Sequence, residues 1–269
     1  MFDGKAGDYD ASMTGMAELE LYKDNLLELP SSVTRNDALP TEAQDKAFGT
    51  MIIGYAQAYL TETFPDGGPQ TWADFWDTKK FPGKRAVPGE YHDFMIEAAL
   101  MADGVTAEDL YPLDLDRAFK KLDELKDDMV FYTEYPQVQQ LLTSGAAAVA
   151  FAPNGLFAGL ENEGVDTTVS WDQAFLEPNI FVVAAKAPNP DNVFALAEFM
   201  ADPKRQAAFA KITNYGPGNA KAFDFMDDDL VDALPNSPSH TAVVMADGKA
   251  RADVYDEAAE RYTAFLAGE

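Results

Sequence analysis

The sequence predicts an α/β chain carrying two small sheets, mixed and mainly parallel, with multiple crossovers, and three observations lead there. Short apolar runs alternate with longer stretches of helical spacing along most of the chain, the pattern that places helices on largely parallel strands. The length, 269 residues, exceeds one typical domain and suits two packed units. Hydrophobic residues make up 47% and aromatic residues 12%, enough apolar surface to build cores in spite of the charge.

The elements follow in order. Tyr9 and Asp10 open a segment that runs into an amphipathic stretch from Met16 to Leu21. Asn36 to Asp45 is polar and turn-like, and Gly49 to Tyr59 reads as a buried strand. Thr71 is a cap signature for a short helix with Trp72 and Trp76 on one side, which breaks at Phe81-Pro82-Gly83. Arg85 to Pro88 is a short extended run. His92 to Met101 and Leu115 to Leu125 have helical apolar spacing, the second with Asp114 or Asp116 near its start. Tyr135 to Leu142 is a helix, Ala147 to Ala152 a strand, and Pro153-Asn154-Gly155 a turn before a helix from Leu156 to Glu163. Thr167 to Trp171 and Phe181 to Ala184 read as two separate strands, and Val193 to Met200 and Gln206 to Ile212 as helices. Tyr215 to Asn219 is too rich in Gly and Pro for regular structure. Ala242 to Met245 and one long helix from Arg251 to Leu266 close the chain.

Composition excludes several functions. With 46 Asp and Glu against 20 Lys and Arg, the net charge is -26, so no cationic surface is available to neutralise nucleic-acid phosphates. The absence of cysteine removes disulfides, thiolate catalysis and Cys-ligated zinc. His92 and His240 are the only imidazoles, too few for a classical catalytic metal centre, although oxygen-only calcium or magnesium sites stay open. No run of apolar residues is long enough to span a bilayer. The opening residues lack a secretory signal, which taken literally means a cytoplasmic protein.

Candidate site residues cluster where aromatics meet acids in expected loops: Tyr9 with Asp10; Tyr132, Glu134 and Tyr135; Trp171 with Asp172; and Tyr215. Loops at the carboxyl ends of parallel strands bind ligands in such folds, and rings with carboxylates suit a cationic or hydroxylated solute. Packing or a solvated loop is the competing reading for each. Lys79 to Arg85 reads as a solvated basic turn, and Asp227-Asp228-Asp229 as a solvated helix start. His92 and His240 read as ordinary surface or structural residues. No pair of residues qualifies as general acid and base, and Ser144 lacks a nucleophile elbow. The expectation is therefore binding without catalysis, with no cofactor.

Several ordered segments resemble the extracellular solute-binding proteins of ABC importers, in their spermidine/putrescine branch. They are Thr71 to Arg85 (TWADFWDTKKFPGKR), Gln140 to Gly145, Ala152-Pro153-Asn154-Gly155, Lys186 to Asn189, Tyr215 to Phe223 and Leu234 to Pro238. The resemblance implies two α/β lobes joined by strands that cross more than once and closing over a solute. It places lobe one at residues 1–84 and 182–223 and lobe two at residues 85–181 and 224–269. It also implies a periplasmic monomer that serves a membrane permease, captures a polyamine-like amine, and lacks here the family's opening strand, helix and strand. Glu134 falls where the family places an acid for an ammonium group, and Tyr215 matches its cleft tyrosine. The family's second acid and its tryptophan align near Asn179 and Glu177, and Pro153 stands where another tryptophan is usual. These departures leave room for a monoamine, an amino-acid-like molecule or another small polar solute. An enzyme on a similar scaffold and a shortened non-binding paralogue are the alternatives.

Overall fold

The computed structural model describes residues 9–36 and 39–268. The Met1 to Asp8 opening and two positions of the polar Asn36 to Asp45 segment, Asp37 and Ala38, lie outside the described residues. The strands are β1 (Ala11–Thr14), β2 (Ala47–Leu60), β3 (Arg85–Pro88), β4 (Met129–Tyr132), β5 (Val149–Pro153), β6 (Thr167–Val183), β7 (Gly216–Pro217) and β8 (Val244–Met245). The chain packs as two compact units, one of residues 1–53, 176–239 and 246–252, the other of residues 54–175, 240–245 and 253–269. Both long strands, β2 and β6, run from one unit into the other. The motif-derived lobes differ from this grouping in assigning residues 54–84 to lobe one and residues 176–181, 224–239 and 246–252 to lobe two.

The second unit is built on parallel pairing. β3 pairs in parallel with both β4 and β5, and β5 pairs antiparallel with β2. One side carries a ladder of rings: Trp72 stacks on Phe175 at 5.4 Å and meets Phe151 edge-on at 5.2 Å, and Phe94 stacks on Phe175 at 5.1 Å. Trp72 is held at the start of its helix, Trp72–Trp76, by a complete capping box in which Thr71 accepts from the Asp74 amide and Asp74 accepts from the Thr71 amide. Burial opposes ionisation of Asp74, but Lys80 at 2.9 Å and the amides of Gln70 and Thr71 outweigh it and hold the carboxyl below its ordinary value. Leu115–Leu125 forms as its spacing dictates, with Asp114 accepting from the Arg117 amide at 3.0 Å and Leu115, Ala118, Phe119, Leu122 and Leu125 buried on one face.

In the first unit the described ladders are antiparallel, β1 on β6 and β7 on β2. Leu19, Leu26, Leu39, Ile180 and Val182 form one core cluster, and Phe48, Val183, Val193 and Ala197 another. Phe48 stacks on Phe181 at 5.6 Å. Helices Pro190–Ala201 and Pro203–Thr213 follow, the latter capped by Asp202, which accepts from the Lys204 and Arg205 amides.

Four expectations need correction. Thr167 to Trp171 and Phe181 to Val183 belong to one 17-residue strand that also takes in Glu177 and Asn179, so Trp171 and Asp172 lie in β6 and not in a loop. The polar and Pro-containing middle of β6 hides the strand, which is bent where Gln173 takes a left-handed φ of 65°. Tyr215 to Asn219 is not wholly irregular, because Gly216 and Pro217 pair with Ile52 and Met51. Glycine is required there, since a Cβ at position 216 would lie 1.9 Å from Asn236 Oδ1. The closing helix is two, Gly248–Asp253 and Tyr255–Ala267, broken at Val254. Finally, Arg85 does not belong to a solvated turn: it is fully buried and donates to the carbonyls of Phe75, Phe81 and Gly83. Burial pushes its guanidinium down to about 10, which still leaves it a cation at neutral pH.

Candidate functional site

The parallel register of β3 and β4 sets Pro88 beside Tyr132, so the loops that begin at Gly89 and Thr133 leave the sheet side by side at its carboxyl edge. The Gly89 amide donates to the Tyr132 carbonyl at 2.7 Å and extends the pairing by one residue. Glycine permits this approach, because a Cβ at position 89 would fall 2.9 Å from Phe131 Cβ. Between the two loops lies a cavity of about 240 Å³ lined by Pro88 to Tyr91, Asp93 and Tyr132 to Tyr135. Its lining holds the carboxylates of Glu90, Asp93 and Glu134 and the rings of Tyr91, Tyr132 and Tyr135. It contains no Lys, Arg or His among the described residues.

Local chemistry fixes these positions. Gln137 Oε1 accepts from the amides of Thr133 at 2.8 Å and Glu134 at 3.3 Å, tying the loop to the start of the Pro136–Thr143 helix. Glu134 is exposed, and Tyr135, half exposed at 45%, stands with its ring 6.3 Å from that of Tyr132. Tyr132, by contrast, is buried and donates its hydroxyl to the Phe151 carbonyl at 3.0 Å. Burial, then the charge of Asp93, pushes its phenol well up, so it serves as a neutral wall. Asp93 adopts a left-handed φ of 42°, which a short polar side chain tolerates. Below it Tyr262 donates to the Pro88 carbonyl at 2.6 Å, its phenol likewise raised by burial and by Asp93. His92 meets Tyr262 edge-on at 6.1 Å, a packing role.

The structure thus brings Glu134 and Tyr135 together with Tyr132 and adds Glu90, Tyr91 and Asp93, which the sequence reading missed. Those three follow a strand that ends at Pro88-Gly89, so the carboxyl-end rule applied to β3 as well as β4 would have found them. Trp171 and Asp172 belong to the same unit but lie outside this lining. Trp171 stacks on His240 at 4.9 Å, and Asp172 is exposed. Next to them Gln173 fastens Trp72, accepting from its amide through the side chain and from its indole through the carbonyl.

The remaining candidates belong to the first unit. Glu177 and Asn179 share one half-buried face of β6 with Phe181, opposite buried Leu176, Pro178, Ile180 and Val182. Tyr215 is partly buried, which raises its phenol, and its amide donates to Thr213 Oγ1. Tyr9 is 70% exposed, whereas Asp10 accepts from the amide and side chain of Asn189 and so anchors a helix start. A larger cavity of about 410 Å³ in this unit has no carboxylate among its described lining residues. Its Arg35 is engaged by Asp45 and by the carbonyls of Leu29, Pro30 and Val33, and Lys221 adds a second cation to the lining, so this cavity presents no counter-charge to an ammonium group. Among the described residues no group of three or more His, Asp or Glu comes together to hold a metal ion. Nor is any helix among them long and apolar enough to cross a membrane.

Residues 10–239 match the family described as bacterial extracellular solute-binding protein. A gamma-aminobutyric acid-binding protein of Pseudomonas aeruginosa strain PAO1 is 31% identical over 224 residues, which make up 81% of this chain and 62% of that protein. The chain therefore spans less than two thirds of the length of that curated relative. A GABA receptor of known structure superposes over the whole chain and 84% of its own, with a TM-score of 0.89 and 33% identity. The binding protein AgtB of A. tumefaciens R10, solved with agropinic acid, superposes with a TM-score of 0.84 at 27% identity, covering 98% of this chain and 84% of its own. The resemblance to solute-binding proteins is thus sound at the level of the family, while the spermidine/putrescine branch is not singled out. The chain belongs to the bacterial extracellular solute-binding protein family.

Proposed function

We propose that this protein is the solute-capturing component of an ABC importer, acting outside the cytoplasmic membrane, and that its solute is a small molecule bearing an ammonium group. The observation that carries the reading is the cavity at the carboxyl ends of β3 and β4, with three carboxylates, three tyrosine rings and no basic residue in its lining. An ammonium group is held there by charge-assisted hydrogen bonds to carboxylates, with ring faces covering its alkyl chain. Glu134 and Tyr135 are assigned to direct contact, with Glu90 and Asp93 as further acceptors. Glu177, Asn179 and Tyr215 stay in the proposal as family-derived positions, and Tyr9, Trp171 and Asp172 as positions where aromatics meet acids. Capture by closure of two lobes and delivery to a permease are part of the same reading.

GABA ranks ahead of putrescine and spermidine as the solute, because one relative at 31% identity is a gamma-aminobutyric acid-binding protein and one at 33% is a GABA receptor. Titration calorimetry with GABA, putrescine and spermidine tests this. Saturable heat from one of them is expected, with the affinity falling about tenfold or more in Glu134→Gln, the scale of a lost hydrogen bond to a charged group. No saturable heat from any amine would remove the proposal.

A further inference from the structure

We propose that the outward face of the Pro203–Thr213 helix adheres to an anionic lipid bilayer. The chain carries 46 acids, yet residues 203–223 contain Lys204, Arg205, Lys211 and Lys221 and no Asp or Glu. Helical spacing sorts these residues. Gln206, Ala207 and Ala210 are buried within the first unit, which leaves two outward stripes, Lys204-Ala208-Lys211 and Arg205-Phe209-Ile212, all exposed. Phe209 is 44% exposed and Ile212 77%. Five of the eleven large apolar side chains exposed among the described residues fall between Leu196 and Phe225; Phe209 and Ile212 lie within the acid-free segment, while Leu196, Phe199 and Phe225 flank it alongside Glu198, Asp202 and Asp224.

Rings and cations interleave on this face. The Arg205 guanidinium lies 3.9 Å from the centre of the Phe199 ring, contributed by the preceding helix, and the Lys204 ammonium lies 5.3 Å from that of Phe225. Asp202, the helix cap, stands 3.7 Å from Arg205 at the margin of the face and offsets part of its charge. A protein interface segregates an apolar core from a polar rim. A mixed array of cations and rings matches instead a headgroup plane, in which Lys and Arg meet phosphates while aromatic and branched side chains enter the boundary with the acyl chains. The acidic remainder of the surface is repelled by the same bilayer, which confines adhesion to this face. At about 0.1 M salt, charges more than about 10 Å away are largely screened and do not cancel the attraction.

Sedimentation of the full chain with vesicles of phosphatidylglycerol and phosphatidylcholine in equal parts, beside vesicles of phosphatidylcholine alone, tests the proposal. At low salt, partition onto the anionic vesicles is expected to exceed that onto the zwitterionic ones at least about tenfold, and to vanish near 1 M salt. Lys211→Glu should weaken it about fivefold or more, and Phe209→Ser with Ile212→Ser should weaken it independently, both proteins keeping the circular dichroism spectrum and melting curve of the parent. Equal partition onto both vesicles, no partition, or partition indifferent to either variant overturns the proposal. A concentration-dependent dimer lost in Phe209→Ser without lipid binding would make the face a self-contact and overturn it too. Salt-sensitive capture by an importer complex in phosphatidylcholine nanodiscs, without phosphatidylglycerol dependence, would overturn it by assigning the face to a protein partner.

Discussion

The cavity at the ends of β3 and β4 and the outward face of the Pro203–Thr213 helix are made of the same two ingredients, rings and charges, in opposite sign and on opposite kinds of support. Glu90, Asp93 and Glu134 stand in loops that leave a sheet edge, above buried Tyr132 and Tyr262. Lys204, Arg205 and Lys211 stand on a helix whose buried side is only Gln206, Ala207 and Ala210. A concave site that reads one small solute needs a stiff interior beneath it, whereas a convex adhesive face needs only a helix that keeps its side chains pointing outward. Aromatic content is therefore uninformative by itself. The sign of the neighbouring charge and the curvature separate solute capture from surface adhesion.

The comparison can be broken at its stiffest point first. Trp72→Ala removes a fully buried indole stacked on Phe175 and edge-on to Phe151, together with its bond to the Gln173 carbonyl. Urea unfolding is expected to show a loss of about 4 kcal/mol. A smaller effect comes from Asp74→Asn, which weakens the capping box and the Lys80 pair and should cost about 1 kcal/mol at pH 7. Because the folded-state carboxyl of Asp74 lies below its unfolded value, its contribution is present above about pH 4 and fades as the pH falls through the folded value. The gap between parent and variant should therefore close under acid, and a gap that widens would contradict the assignment.

Gln57 sharpens the picture from the other side. It is 1% exposed, and both of its amide atoms are buried with no hydrogen-bond partner among the described residues, on the part of β2 that lies in the second unit. Gln57→Met keeps the volume and removes the unsatisfied groups, so a gain of about 1 kcal/mol is expected by the same unfolding measurement. The smallest effect belongs to the convex face, where Phe209→Ser should change stability by less than about 0.5 kcal/mol, as an exposed position allows. A cost comparable to that of Trp72→Ala would show that Phe209 is structural and would dissolve the contrast.

Much of this was legible in the sequence where a local signal and a periodic one agree. Leu115–Leu125 has both an Asp114 cap and a 3.6-residue apolar period, and Trp72–Trp76 has its Thr71 cap. The middle of β6 was not legible, because Asp172, Gln173 and Pro178 carry breaker chemistry while their strand is imposed by tertiary partners such as Ala242 and Trp72. Arg85 was misread for a related reason: its three carbonyl acceptors come from the turn and helix before it, which charge counting does not show. In the candidate site, Glu134 and Tyr135 follow directly on the apolar run of β4. Glu90, Tyr91 and Asp93 stand far earlier in the sequence and arrive only through the parallel β3–β4 register.

The central claim is that the second unit's acidic, ring-lined cavity holds the ammonium end of the solute, and calorimetric titration of the parent protein and Glu134→Gln with GABA tests it most directly. The account predicts saturable binding to the parent, weakened about tenfold or more in the variant while its unfolding curve is unchanged. Equal affinity of the two proteins for GABA would contradict it.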